Sequence, residues 1–190
     1  MQHEEAKIRL LETAEKLFYT RGVHAVGMDA IRTHSGVSLK RLYQCFPSKE
    51  ALVEAYLLRR DERWRGRLAD YVAAHAETPA DAIPAVFDWL HTWFCEPDFR
   101  GCAFVNSFGE LGPTAPGVAA AVRLHKELVR AYLLGLTSAV AVKHPEELAD
   151  QLLSLVDGAT VVAAISGEPA AALPSKAAAV TLLTAQLLLA

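Results

Sequence analysis

The stretch MDAIRTHSGVSLKRLYQCFPSKEAL, residues 28–52, decides the fold. Gly27 stands at the N-cap of a short helix, Met28–His34, with Ala30 and Ile31 turned inward. Ser35-Gly36-Val37 reads as a turn, with Gly36 where a left-handed residue closes a helix. Ser38 caps a second short helix, Leu39–Phe46, and Pro47 stops it. Ser48 then caps a longer helix, with Glu50 in the first turn, where the dipole favours a carboxylate. Two short helices joined by a tight glycine turn have the plan of a helix-turn-helix. The second helix of such a pair enters a major groove, so its outer face must be polar. Leu42 and Phe46 fall at i and i+4 and point inward, which leaves Lys40, Arg41, Tyr43 and Gln44 outside. Two cations, a phenol and an amide suit phosphates and base edges. Lys49 adds a cation at the next helix start, where free N–H groups also favour a phosphate. An αα-hairpin with a solvated charged face fits the same residues.

The rest of the chain also reads as helix. Ile8, Leu11, Ala14, Leu17 and Phe18 recur at three- and four-residue spacing and predict a helix over about residues 4–20, stopped at Arg21-Gly22. The helix after Ser48 carries Leu52, Val53, Tyr56 and Leu57 and extends to about Ala74. Further helices are expected over Ala80–Cys95, Cys102–Leu111, Pro116–Val142, Glu146–Ser166 and Pro174–Leu189, with proline or glycine at the breaks between them. No stretch alternates with period two, so the expected class is all-α with about nine helices.

Composition bounds the function. The 190 residues are 52% hydrophobic and 22% charged, enough for a sizeable core. The longest charge-free stretches, Ala131–Val142 and Ala177–Ala190, are shorter than the roughly 18–20 apolar residues of a bilayer span. The polar start Met1-Gln2-His3-Glu4-Glu5 is not a secretory signal, and three cysteines are no disulfide framework. A reducing cytoplasm is the expected compartment, with no membrane partner. Residues 1–75 carry 13 Lys+Arg and 10 Asp+Glu, whereas residues 76–190 carry 6 and 12. A basic front on an acidic body points to a polyanion partner at one end.

The ordered run Ala30-Ile31, Gly36-Val37-Ser38, Leu42-Tyr43 and Phe46-Pro47-Ser48-Lys49-Glu50-Ala51-Leu52 resembles the tetracycline-repressor (TetR) family of bacterial regulators. Leu17-Phe18, Arg21-Gly22 and Val26 extend the likeness to about residues 7–56. The resemblance implies a homodimeric transcription regulator, a repressor released from a near-palindromic operator by a small effector. It divides the chain into a DNA-binding domain, 1–50, and a ligand-binding and dimerisation domain, 51–190. By the same resemblance Ser38, Leu39, Lys40, Arg41, Tyr43, Gln44 and Lys49 occupy the DNA-contacting positions. Gly27 departs from the family's usual Ser or Thr, and Cys45 from its usual aromatic or His.

Residues 80–190 suggest where an effector and a second subunit would bind. Trp89, Trp93, Phe104, Phe108 and Tyr132 are the expected apolar lining of an effector site, with Asn106 and His125 as its orienting polar groups. Glu110 is a candidate for a cationic ligand. The same aromatics also suit an ordinary core. The last two helices are rich in Ala and Leu, and the final one is apolar nearly all round, Leu183 included. That predicts a two-fold interface from residues 147–189. A metal- or thiol-sensing regulator built on His91, Cys95 and Cys102 is the alternative, and a helical structural or adaptor protein is the non-regulator one. No catalytic motif, cofactor site or dedicated metal site is evident, so an enzyme is not expected.

Overall fold

The computed structural model describes residues 2–188. Among them the chain is all-α. The helices are α1 His3–Arg21, α2 Met28–Ser35, α3 Leu39–Cys45, α4 Lys49–His75, α5 Ala82–Phe94, α6 Ala103–Leu111, α7 Pro116–Ser138, α8 Pro145–Ser166 and α9 Ala172–Leu188, with a 3-10 turn at Pro169–Ala171. The chain divides into two compact units. The first holds residues 1–63 and 103–125, the second 64–102 and 126–190. Helices α4 and α7 contribute to both. These are units of packing, whereas the division expected at residue 50 is one of function.

In the first unit, α1 buries Ala6, Leu10, Ala14, Leu17 and Phe18. The stripe is rotated from the one expected, and Ile8 is 52% exposed. The apolar set of this helix is wider than one face, and the neighbours packed on it decide which part is covered. Helix α1 is tied to α4 by charge. Arg60 and Arg63 both reach Glu15, at 3.2 and 2.8 Å, and Arg60 also covers the Tyr19 ring at 3.8 Å. Deeper in the unit, Asp61 Oδ1 and His125 Nδ1 lie 2.7 Å apart, both nearly fully buried. Phe104 stacks on the His125 ring with 3.5 Å between centroids.

The second unit is built around α5. Its Ala82, Ile83, Val86, Phe87, Trp89, Leu90, Trp93 and Phe94 are buried, so it is a core helix on most of its circumference. Trp64 of α4 meets Trp89 edge-on at 4.8 Å and Trp93 at 5.6 Å, and Trp93 meets Phe99 at 5.0 Å. Each such pair adds about 0.5–1.5 kcal/mol beyond the area it buries. Trp89→Ala should therefore cost about 3–5 kcal/mol of folding stability, read as a lower urea midpoint with the slope unchanged.

Helices α8 and α9 cover α5. They bury Leu148, Leu152, Val156, Ala159 and Ala163, and Ala172, Ala179 and Leu183. By length and composition, Pro145–Ser166 and Pro169–Leu188 are apolar enough to cross a membrane. The count of charge-free residues missed this, because isolated charges interrupt the runs without lowering the mean hydropathy much. Those charges are engaged inside the unit. Asp157 pairs with Lys126, and Lys176 reaches both Asp88 oxygens at 2.6 and 2.7 Å.

Candidate nucleic-acid interface

Helices α2 and α3 form the predicted helix-turn-helix, and local chemistry fixes the turn. Gly36 takes φ 67°, ψ 13°, the left-handed conformation an L side chain resists, and its N–H donates to Arg32 O. The buried Ser35 hydroxyl accepts from Val37 N–H at 3.2 Å. Ser38 caps α3 by accepting from Arg41 N–H at 3.4 Å. Leu42 and Phe46 are buried beneath the pair, together with Ile31 and Val37.

That base leaves one face of α3 to solvent. Ser38, Leu39, Lys40, Tyr43 and Gln44 are exposed and Arg41 is partly so. Ser38 spends its oxygen on the cap and keeps its O–H as a donor. Lys49 stands at the start of α4, where Ser48 Oγ accepts from Ala51 N–H at 3.1 Å. Its ammonium donates to His24 O at 3.4 Å, one of three donors used. Glu50 is held below the usual carboxylate range by its own backbone N–H and by the Ser48 hydroxyl. Cys45 turns back toward α1, with Sγ 3.7 Å from His3 Nδ1, and burial raises its thiol above the ordinary value. Its position is structural and off the outer face of α3. Arg32 is paired with Asp29 at 3.3 Å, so the cations standing clear on the pair are Lys40 and Arg41.

The signature of bacterial regulatory proteins of the tetR family matches residues 10–56, the segment that builds this face. SCO4454, a TetR-family transcriptional regulator from Streptomyces coelicolor, superposes with a TM-score of 0.86 at 28% identity, over 96% of each chain. The uncharacterized HTH-type transcriptional regulator Rv1255c of Mycobacterium tuberculosis is 31% identical over 138 residues, 58% of this chain and 67% of that one. The chain belongs to the TetR family. The family consists of transcription regulators rather than enzymes, and typical members bind DNA operators as dimers that respond to small molecules. The HTH-type transcriptional activator FasR of Mycolicibacterium smegmatis is 35% identical over 136 residues, 67% of this chain. Those residues span 56% of the length of FasR.

The seven residues expected to hold an effector are divided between the two packing units. Trp89, Trp93 and Tyr132 belong to the second packing unit, and Phe104, Asn106, Phe108 and His125 to the first. Trp89 and Trp93 are core, and Tyr132 is partly buried against the same core. His125 and Phe104 are consumed by the stack beside Asp61, and Phe108 is exposed. Asn106 borders a cavity of about 120 Å³ within the first unit. Aromatic clustering in sequence registers large apolar side chains, and those fill cores as readily as they line pockets.

The sensing alternative gains no support from the structure. Cys95 is exposed, Cys102 is partly buried and neither is in a disulfide. Among the described residues no three His, Cys, Asp or Glu side chains converge to hold a metal ion.

Sequence reasoning missed one connection. Glu110, near the end of α6, accepts from Val23 N–H at 3.1 Å and from His24 N–H in a short bond. This carboxylate clasps the turn that leads from α1 into α2. The two ends are 86 and 87 residues apart in the chain, and no local pattern announces such a pair.

Proposed function

We propose that the chain is a homodimeric, cytoplasmic repressor that places α3 of each subunit in a major groove of a near-palindromic operator and is released by a small effector. The observation that carries this reading is the outer face of α3. Its polar and cationic side chains stand clear on a buried Leu42–Phe46 base, with Lys49 beside them. In this reading Tyr43 and Lys49 hold phosphates. Lys40, Arg41 and Gln44 reach base edges or flanking phosphates, and Ser38 and Leu39 lie against the backbone at the entry of the helix.

The roles separate by experiment. Tyr43→Phe and Lys49→Ala should weaken binding to all DNA sequences alike, and Lys49→Ala should flatten the dependence on salt. Arg41→Ala or Gln44→Ala should change the preferred base at one position per half-site, by about 1–3 kcal/mol for a bidentate contact. Binding curves on a panel of single-base operator variants read both effects. A uniform loss for all four substitutions would remove α3 from the reading of sequence.

Dimerisation is supported by the outer faces of α8 and α9. Val161, Val162, Ile165, Leu173, Val180, Leu187 and Leu188 are exposed, Ile165 at 82%. An apolar patch of this extent marks an interface. A two-fold axis would turn the two helices of each subunit into a four-helix contact. Leu183, placed on this face by sequence alone, is buried within the subunit. Leu189 lies outside the described residues. Repression is read in cells by a reporter placed behind the operator, and its level should rise when the gene for this chain is deleted. The effector shifts the equilibrium only through different affinities for the DNA-fitting and non-fitting states.

A further inference from the structure

Helix α6 brings Ala103, Asn106, Ser107 and Glu110 to one face at spacings of three and four. Within the first unit this face closes the cavity of about 120 Å³, whose other walls include the rings of Phe18, Tyr19 and Tyr56. A dry apolar cavity of roughly 150 Å³ takes up benzene, so the space here is of single-ring size. Its lining differs from a packing defect because polar groups converge on it. Ser107 is 2% exposed as a residue and borders this space. The Asn106 amide and the Glu110 carboxylate border the same space.

The charge on the lining selects the ligand. Glu110 is the ionisable carboxylate at the cavity and would repel an anion. Arg60, over the Tyr19 ring, is committed to Glu15. Aromatic walls, one hydroxyl and one carboxylate call for a planar ring carrying an O–H or N–H donor.

Occupancy also has a route to the outer face of the helix-turn-helix. Glu110 holds the N–H groups of Val23 and His24, and the His24 carbonyl accepts from Lys49. Gly22 begins this turn at φ 85°, and a Cβ there would lie 3.2 Å from Glu110 Oε1, so the carboxylate is seated directly against the backbone.

We propose that this cavity is a binding site for a single-ring aromatic of phenol type, held by Ser107 and Glu110, and that its occupancy draws Glu110 from the 22–24 turn and so displaces Lys49. The site gives the effector in the functional proposal a place and a chemical class, and its coupling half rests on the DNA-binding reading. The occupancy half does not.

The test uses the full chain and 4-fluorophenol, followed by fluorine NMR without DNA. Saturable binding at millimolar concentration is expected, with none for 4-fluorobenzoate. Ser107→Ala should weaken it about three- to tenfold, the worth of one hydrogen bond. Ser107→Leu should abolish it by filling the space, with retained helicity checked by circular dichroism. If Ser107→Leu does not fold, Ser107→Ala decides. Absence of saturable binding, equal binding of the benzoate, or indifference to Ser107→Ala would overturn the site. On DNA, 4-fluorophenol should lower affinity severalfold for the wild type. Glu110→Gln should bind DNA more weakly at the outset and respond less. Ligand binding with DNA affinity unchanged would overturn the coupling. A chain that takes up the phenol but binds no DNA would leave the site standing and remove the DNA-binding reading instead.

Discussion

Val162→Glu combined with Ile165→Glu should turn the proposed dimer into monomers and lower operator affinity on the order of 10²- to 10⁴-fold, the factor by which linking two modest binders exceeds one alone. Both side chains are exposed on the outer face of α8, so neither charge disturbs the core of the subunit. The four carboxylates that two subunits bring together would then face one another in an apolar contact, where unpaired charge is strongly disfavoured. Sedimentation velocity reads the mass, and fluorescence anisotropy on the operator reads the affinity. Circular dichroism should stay as in the wild type. The buried Leu183 supplies the contrast, because Leu183→Glu should unfold the second unit rather than separate two intact chains. A double variant that remains dimeric would move the interface elsewhere.

Salt gives the second large effect. Lys40, Arg41 and Lys49 from two subunits offer about six phosphate contacts, which predicts a slope near about −5 for log affinity against log salt concentration. Between 50 and 200 mM salt, affinity should therefore fall on the order of 10³-fold. Lys49→Ala removes one contact per subunit and should make the slope shallower by about 2. A flat salt response would mean that the phosphate backbone is not what these cations hold.

Much of this architecture is legible in the residues because its signals are local. Gly36 and Ser38 close one helix and open the next within three positions. Pro47 with Ser48 does the same for α3 and α4, and the observed ends of these helices fall within a residue or two of those expected, whereas α7, expected to reach Val142, stops at Ser138. Signals that depend on a distant partner are harder to read. The buried stripe of α1 is decided by what packs on it, so Ile8 faces solvent while Ala6 does not. Leu183 and Val180 are equally apolar in sequence, yet only the first is covered by its own subunit. His125 has the composition of a ligand-orienting group, but Asp61, 64 residues away, already holds it. Glu110 shows the same limit from the other side. Nothing near it in sequence marks a carboxylate that secures the turn at Val23 and His24.

Selection of bound sites from a random DNA pool with the full chain tests the central claim most directly. The account predicts one enriched near-palindromic motif, its two half-sites about one helical turn apart, with the base preference altered at matching positions in both halves by Gln44→Ala. A pool that shows no enrichment, or a motif without two-fold symmetry that Gln44→Ala leaves unchanged, would contradict a dimer reading DNA through α3.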